Sequence, residues 1–420
     1  MTSLLGTPVV LPNGTVISNR IVKAATSEGL SDAENHATSR LVTLYERWAQ
    51  SGAGLILSGN IQVDRWHLER PSNVVLSDET GLDRLAAVAA AATSEGSAFW
   101  AQLSHTGRQV SDFINPEPLS SSDVDIDVPR GLGLTFAKPK AMTEADIARA
   151  IAQFATAAGL AQKAGFTGVQ FHAAHGYLIS QFLSPLSNRR TDRWGGSLEN
   201  RSRLLLEVMA AVREAVGPDF PIGIKLNASD FQKGGFTNAE CIALVGLLND
   251  SSLDLLELSG GSLEQPKVVG ISVKDEGADA IPASTRKREA YFVEFAAAVR
   301  AAANMPVLVT GGFRSVQGMI EAIQNGDLDL VGMARPFIAD PEIARKLISG
   351  EVDTAPTPEK TLEIGHLMQW FSVQIDRMGD GLMPDRTLEG AAASEQFVNL
   401  ETGYMTALLE QRAHERSVAA

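Results

Sequence analysis

The chain has 420 residues, a formal net charge of −14, 44% hydrophobic residues and 20% charged residues. That apolar share supports a large buried core, and the length suits one large domain or two ordinary ones. So acidic a surface repels phosphate backbones and anionic lipid, which argues against nucleic acid and membrane surfaces as partners. The lone cysteine, Cys241, excludes an intrachain disulfide, a four-thiolate cluster and a four-cysteine zinc site.

The first residues, Met1 to Gly14, show no basic segment followed by an apolar run. No stretch approaches the roughly 20 apolar residues of a membrane span. The expectation is a cytoplasmic protein. Val9-Val10-Leu11 and Thr15-Val16-Ile17 flank Pro12-Asn13-Gly14, and Asn-Gly between β-branched runs predicts a tight hairpin, placed to plug one end of a barrel. Short apolar runs then alternate with helical stretches. Strands are expected at Ile21–Ala24, Leu55–Ser58, Phe99–Leu103, Gly168–His172, Ile222–Leu226, Leu253–Leu258, Val307–Thr310 and Leu330–Met333. Helices are expected at Ser39–Ser51, Thr80–Thr93, Thr143–Ala164, Ser202–Val216, Asn238–Asn249, Glu289–Ala303, Val316–Asn325 and Pro341–Ser349. Near-continuous apolar strands belong to a parallel sheet covered on both faces. Eight βα units predict a (β/α)8 TIM barrel capped by the hairpin. A doubly wound sheet would want a glycine-rich turn after its first strand, and Lys23-Ala24-Ala25-Thr26-Ser27 has none. Two long βα loops, residues 104–140 and 259–286, leave the carboxyl ends of strands and read as lids. Residues 1–385 read as the barrel domain and 386–420 as a helical tail, with a weakly amphipathic helix over Ser394–Leu409.

His172-Ala173-Ala174-His175-Gly176-Tyr177 leaves the fourth strand. Two imidazoles at this spacing can donate hydrogen bonds to one oxygen, and the phenol can give a proton to a nearby carbon. The plainer alternative is one capping histidine and a tyrosine packed in the core. The run lacks a carboxylate at ligand spacing, and no metal is expected. The following run, Asn188 to Arg201, reads as a stiff loop tied by Asp–Arg pairs. Gly311-Gly312 ends the seventh strand and Ala334-Arg335 the eighth, where barrels hold phosphate; the alternative for the glycine pair is a simple tight turn. Ser27, Gln102 and Lys225 are polar residues at strand ends. Lys225, between Ile224 and Leu226, must point into the barrel mouth or be badly desolvated. An amide and a cation suit the pyrimidine edge of a flavin. For Gln102 a capping hydrogen bond is the equal alternative.

Asn19–Val22, Ala101–Arg108, Gly165–Arg203, Lys225–Phe231 and Val309–Pro341 resemble the old yellow enzyme family over residues 19 to about 345, the His172–Tyr177 and Asn188–Arg201 runs being the most specific. The resemblance implies tightly bound FMN, NAD(P)H as reductant, and ping-pong ene reductase chemistry on a small-molecule alkene activated by a carbonyl or nitro group. It places Ala25, Thr26 and Ser27 along the flavin, with Ser27 near O4 and N5. Asn60 and Gln102 border its pyrimidine ring, Lys225 lies near N1 and O2, and Gly311, Gly312, Ala334 and Arg335 hold the phosphate. It implies substrate-binding roles for His172 and His175 and makes Tyr177 the proton donor. Departures from the family are Ser27 for threonine or cysteine, Ser104 where some members carry tryptophan, Ala334 for glycine and Trp194 for tyrosine. Trp370 is a guess for the pocket aromatic that some members supply from a carboxyl-terminal segment. Rival readings are a flavin-free lyase or aldolase on a sugar phosphate with Lys225 as imine-forming amine, and a non-catalytic flavin-binding protein. The expected assembly is a monomer or homodimer.

Overall fold

The computed structural model describes residues 4–128, 135–266 and 293–419. Eight strands are each followed by helical segments: β1 (Ile21–Lys23), β2 (Leu55–Gln62), β3 (Ala98–Ser104), β4 (Gly168–Ala173), β5 (Ile222–Asn227), β6 (Leu255–Ser259), β7 (Val307–Thr310) and β8 (Leu330–Met333). They close into one parallel barrel with every strand paired to its sequence neighbours and β8 to β1. The expected (β/α)8 fold is the observed one, because each strand is apolar and buried on both faces.

The hairpin forms, with Val9–Val10 antiparallel to Val16–Ile17. Val9, Leu11 and Ile17 pack in one cluster with Val22, Leu55, Trp100, Leu255, Leu308 and Leu330 from the starts or middles of strands. The hairpin therefore closes the amino-terminal end, which leaves the carboxyl ends of the strands open for chemistry. Trp100 fills the interior and forces its neighbours to be small. A methyl added at Gly168 would lie 2.5 Å from the Trp100 indole nitrogen, and one at Gly223 would lie 2.8 Å from the ring. Gly168→Ala is expected to destabilise the protein by about 1–3 kcal/mol, as overpacking does. Gly246→Ala, on an exposed helix position with nothing within 4 Å, is the matched control and should be neutral or slightly stabilising. Thermal unfolding of the two variants checks this.

Most helices match their predicted spans to within two residues, and the departures have local causes. The helix expected from Ser202 spans Leu198–Val216, because the Ser197 side chain accepts the Asn200 N–H and starts the helix early. Arg201, read as part of the loop, is buried inside it. The helix expected from Pro341 begins at Ile343, after a separate short helix at Arg335–Ala339. Residues 289–292 of the predicted seventh helix lie outside the described residues, and the helix is seen over Val293–Ala302. A six-residue helix, Leu178–Leu183, is too short to show periodicity in sequence. The tail helix spans Gly390–Ala419, well beyond Ser394–Leu409. No helix among the described residues is long and apolar enough to cross a membrane.

Of the two long loops, residues 129–134 and 267–292 lie outside the described residues, so the lid reading is not carried further. The Asn188–Arg201 loop is tied as expected. Arg190 pairs with Asp192 at 2.5 Å and also donates to the Ser121 and Met142 carbonyls. Arg193 pairs with Glu144 rather than an aspartate, Arg201 with Glu240, and the Trp194 indole donates to Glu144 at 2.8 Å.

Candidate active site

Strand register sets the site. Asn60 pairs with Gln102 and Gln102 with Gln170 across β2, β3 and β4. A register shift in β2 between Leu57 and Asn60 brings Asn60 into that row. His172 pairs with Lys225 and Lys225 with Glu257 across β4, β5 and β6. Neighbours in register on parallel strands point the same way, so two polar rows face the carboxyl-terminal mouth.

The rows join through buried side chains. Gln102 Nε2 donates to Gln170 Oε1 at 2.7 Å, Gln170 Nε2 donates to Glu257 Oε2 at 2.7 Å, and Lys225 Nζ lies 3.1 Å from Glu257 Oε1. Gln102 is thus part of a relay and not a cap, and Lys225 does point inward, as its burial required. Gln170 and Glu257 were not among the expected site residues. Their sequence signal was a polar residue inside an otherwise apolar strand, the argument that singled out Lys225.

His172, His175 and Tyr177 come together. The His172 ring centroid lies 5.0 Å from that of His175 and 4.6 Å from that of Tyr177, with edge-to-face planes. His175 takes φ +59, costly for a non-glycine residue, and its N–H donates to Asn227 Oδ1 at 3.1 Å. Its Nε2 lies 2.7 Å from Ser259 Oγ. Strain held by specific partners is typical of functional positions. Burial pulls both imidazoles well below the usual histidine range; His175 and then Lys225 add to this at His172, and Lys225 does at His175. Both rings are therefore neutral near pH 7, and each keeps one N–H to donate. His172 Nδ1 accepts the Ala174 N–H at 3.3 Å, which leaves its proton on Nε2. Burial, with the Glu69 charge adding, pushes the Tyr177 phenol well above its ordinary value, so it is held as an acid.

Beside this cluster is a cavity of about 160 Å³ lined by Ala25, His175, Lys225, Thr310, Gly311, Gly312, Ala334 and Arg335, among others. The two glycines take φ +124 and +89, which a side chain would resist. The buried Thr310 hydroxyl has no hydrogen-bond partner among the described residues and lines the cavity. An orphaned hydroxyl, open backbone and three cationic side chains, Lys225, Arg314 and Arg335, fit an anionic, hydrogen-bonding group such as a flavin phosphate.

Of the other expected residues, Thr26, Ser27, Asn60 and Gln102 do not line this cavity. Ser27 Oγ is 2.7 Å from Glu69 Oε2 and 3.0 Å from Asn60 Oδ1, and Asn60 Nδ2 donates to the same Glu69 oxygen at 3.1 Å. Thr26 Oγ1 accepts from Lys23 Nζ at 3.0 Å. Lys23 is fully buried 3.9 Å over the Trp48 ring, and its amine is lowered to about 7 by burial, against Glu28 and with help from Lys225. Lys23 and Glu69 were not anticipated. Trp370 does not line this cavity; it lines a separate one of about 400 Å³ with Pro358, His366 and Leu388. It is buried in the helix Leu367–Gly379, stacks edge-on against Phe371 and donates to the Leu388 carbonyl at 2.9 Å. A tryptophan in a core-facing helix stripe looks the same in sequence whichever site it serves.

Asp64, His67 and His105 form a second cluster, one ligand atom from each within 4.8 Å of the others. His67 Nε2 accepts the Leu119 N–H at 3.1 Å and His105 Nδ1 accepts the Gly107 N–H at 3.0 Å. Each neutral ring has one lone pair, already engaged, so the cluster reads as a hydrogen-bonded tie between loops. Burial, with His67 adding, takes His105 down to about 3, consistent with a neutral ring.

Comparison with known proteins shows the family and the fold. Residues 5–353 match the NADH:flavin oxidoreductase / NADH oxidase family. The NADH-dependent flavin oxidoreductase nadA of Aspergillus parasiticus is 36% identical over 417 residues, covering 96% of this chain and 90% of that protein. The 2-naphthoyl-CoA reductase solved with 2-naphthoyl-CoA is 25% identical with a TM-score of 0.77, covering 94% of this chain and 58% of that one. The old yellow enzyme homologue from Zymomonas mobilis shares the fold, with 23% identity and a TM-score of 0.69 over 85% of this chain and 95% of that one. The chain belongs to the NADH:flavin oxidoreductase family of old yellow enzyme barrels, and is an enzyme that uses FMN with NAD(P)H as reductant.

Proposed function

We propose that the protein is an ene reductase, which reduces carbon–carbon double bonds activated by a carbonyl or nitro group. The observation that carries this reading is the gathering of two neutral imidazoles and one protonated phenol beside the cavity lined by Lys225, Gly311 and Gly312. FMN, when bound, would supply the hydride, with NAD(P)H as its reductant. His172 and His175 each donate an N–H to the substrate oxygen and stabilise the negative charge that builds there. Their neutrality leaves the proton for the carbon to Tyr177, whose raised phenol stays protonated until a carbanion-like carbon faces it.

Ala25, Thr26, Ser27, Asn60 and Gln102 would border the flavin ring, Lys225, held by Glu257, would offer its cation to the pyrimidine edge, and Gly311, Gly312, Ala334 and Arg335 would receive the phosphate. Membership in a flavoenzyme family disposes of the flavin-free lyase and of the non-catalytic flavin binder.

Removing both oxygen-binding donors, by His172→Ala with His175→Ala, is expected to lower kcat/KM for an enone about 10²–10³-fold, the usual effect of losing such a donor. Flavin content should hold in His172→Ala, since His172 does not line the cofactor cavity, and is measured in the double variant because His175 does line it. Chromatographic analysis of cyclohexenone incubated with the wild-type protein and NADH tests the reading itself. Cyclohexanone should form in step with NADH consumed; NADH oxidation with no saturated product would overturn ene reduction while leaving the flavin assignment intact.

A further inference from the structure

Glu69 enters the mechanism above only through its charge beside Tyr177, yet its carboxylate also reaches Ser27 across 42 residues of chain at 2.7 Å. The Ser27 hydroxyl has one proton and two acceptors in reach, Glu69 Oε2 at 2.7 Å and Asn60 Oδ1 at 3.0 Å. A charged acceptor at the shorter distance takes that proton. Asn60 Nδ2 donates to the same oxygen. Glu69 therefore fixes the direction of both polar groups.

The residues on either side of Glu69 are gripped by the carboxyl-terminal helix, Gly390–Ala419. Leu68 is fully buried in a small apolar cluster with Leu408, Val110 and Ile114. The Arg70 guanidinium pairs with Glu401 at 2.6 Å and lies 5.3 Å over the Phe397 ring. A few residues earlier, Arg65 pairs with Glu415 at 2.6 Å, and Arg412 donates to the Arg65 carbonyl at 2.6 Å and lies over Trp66. Exposed ion pairs are worth little, but Arg70 is mostly buried, with a side-chain exposure of 14%. The apolar cluster anchors the other side. The loop between β2 and the next helix is also held at His67, which accepts the Leu119 N–H, and at Pro71 and Asn73, whose carbonyls accept from Asn35; the helix holds the stretch on either side of Glu69.

We propose that Glu69 is a positioning residue for the flavin edge, and that the carboxyl-terminal helix is the strap that holds it there. The inference rests on the proposed place of Ser27 beside flavin O4 and N5. A carboxylate that claims the serine proton and adds negative charge disfavours the electron-rich reduced cofactor, so it lowers the reduction potential.

The test is the midpoint potential of the bound flavin, measured by dye equilibration on the holoenzyme. Glu69→Gln, which keeps the shape and removes the charge, should raise the two-electron equilibrium constant for reduction at least tenfold, about 30 mV for such a couple. Glu401→Gln should move the potential the same way by less, and should add little on the Glu69→Gln background, as coupled sites do. A flavin-bound Glu69→Gln protein with an unchanged potential overturns the proposal. A Glu401→Gln shift that is absent, or equal in both backgrounds, overturns the strap. If Glu69→Gln does not retain flavin, the Glu401→Gln potential alone decides. Wild-type protein that binds no FMN would instead fail the flavin placement of the preceding subsection, an outcome separate from these.

Discussion

Tyr177→Phe is expected to leave the reduction of bound flavin by NAD(P)H unchanged and to slow its reoxidation by an enone about 10²–10⁴-fold, the range for losing a general acid. The split follows from position. Tyr177 precedes the short helix Leu178–Leu183 and meets His172 edge-on at 4.6 Å, so it sits beside the oxygen-binding imidazoles and does not itself line the cavity around Gly311 and Gly312. Reduction of the cofactor needs no proton from this face, whereas saturation of the alkene does. Stopped-flow measurement of the two half-reactions separates them. Equal slowing of both would move Tyr177 from proton donation to general packing, and no slowing of either would remove it from the site.

The second large effect concerns Glu257. Its carboxylate is fully buried, takes a hydrogen bond from Gln170 on one oxygen and faces Lys225 on the other at 3.1 Å. Glu257→Ala leaves a buried ammonium without its counter-ion, and the expected loss of stability is about 3–5 kcal/mol. The double variant Glu257→Leu with Lys225→Met should recover most of that loss, because replacing both members of a buried pair by apolar residues is often close to neutral. It should not recover flavin affinity, since the cation at the pyrimidine edge is gone. Urea unfolding of the apoproteins and FMN titration of the same samples give the two readouts. A single variant as stable as wild type would mean that the pair carries no such burden.

The barrel was legible because buried parallel strands are continuous apolar runs and their spacing leaves room for one helix each. The His172–Tyr177 cluster was legible because three functional side chains leave one strand end together. Lys225 stood out as a charge among apolar neighbours, and Glu257 in Leu255-Leu256-Glu257-Leu258 carries the same mark. It escaped notice because its partner lies on the adjacent strand, in a register that the sequence does not print. Glu69 was hidden for a different reason. It lies in a polar loop where carboxylates are ordinary, and its role comes from a contact with Ser27 and a clamp by a helix more than 300 residues later. Lys23 was passed over as the end of an apolar strand, although full burial of a lysine against Trp48 is the more unusual fact. Long-range polar contacts of this kind depend on closure of the barrel, which local patterns do not encode.

The most direct test of the account is an anaerobic spectral titration of the purified protein. Its yellow colour should bleach with one equivalent of NADH or NADPH, stay bleached while oxygen is absent, and return on addition of one equivalent of cyclohexenone. A reduced protein that remains bleached with the enone, yet recovers its colour in air, would contradict it.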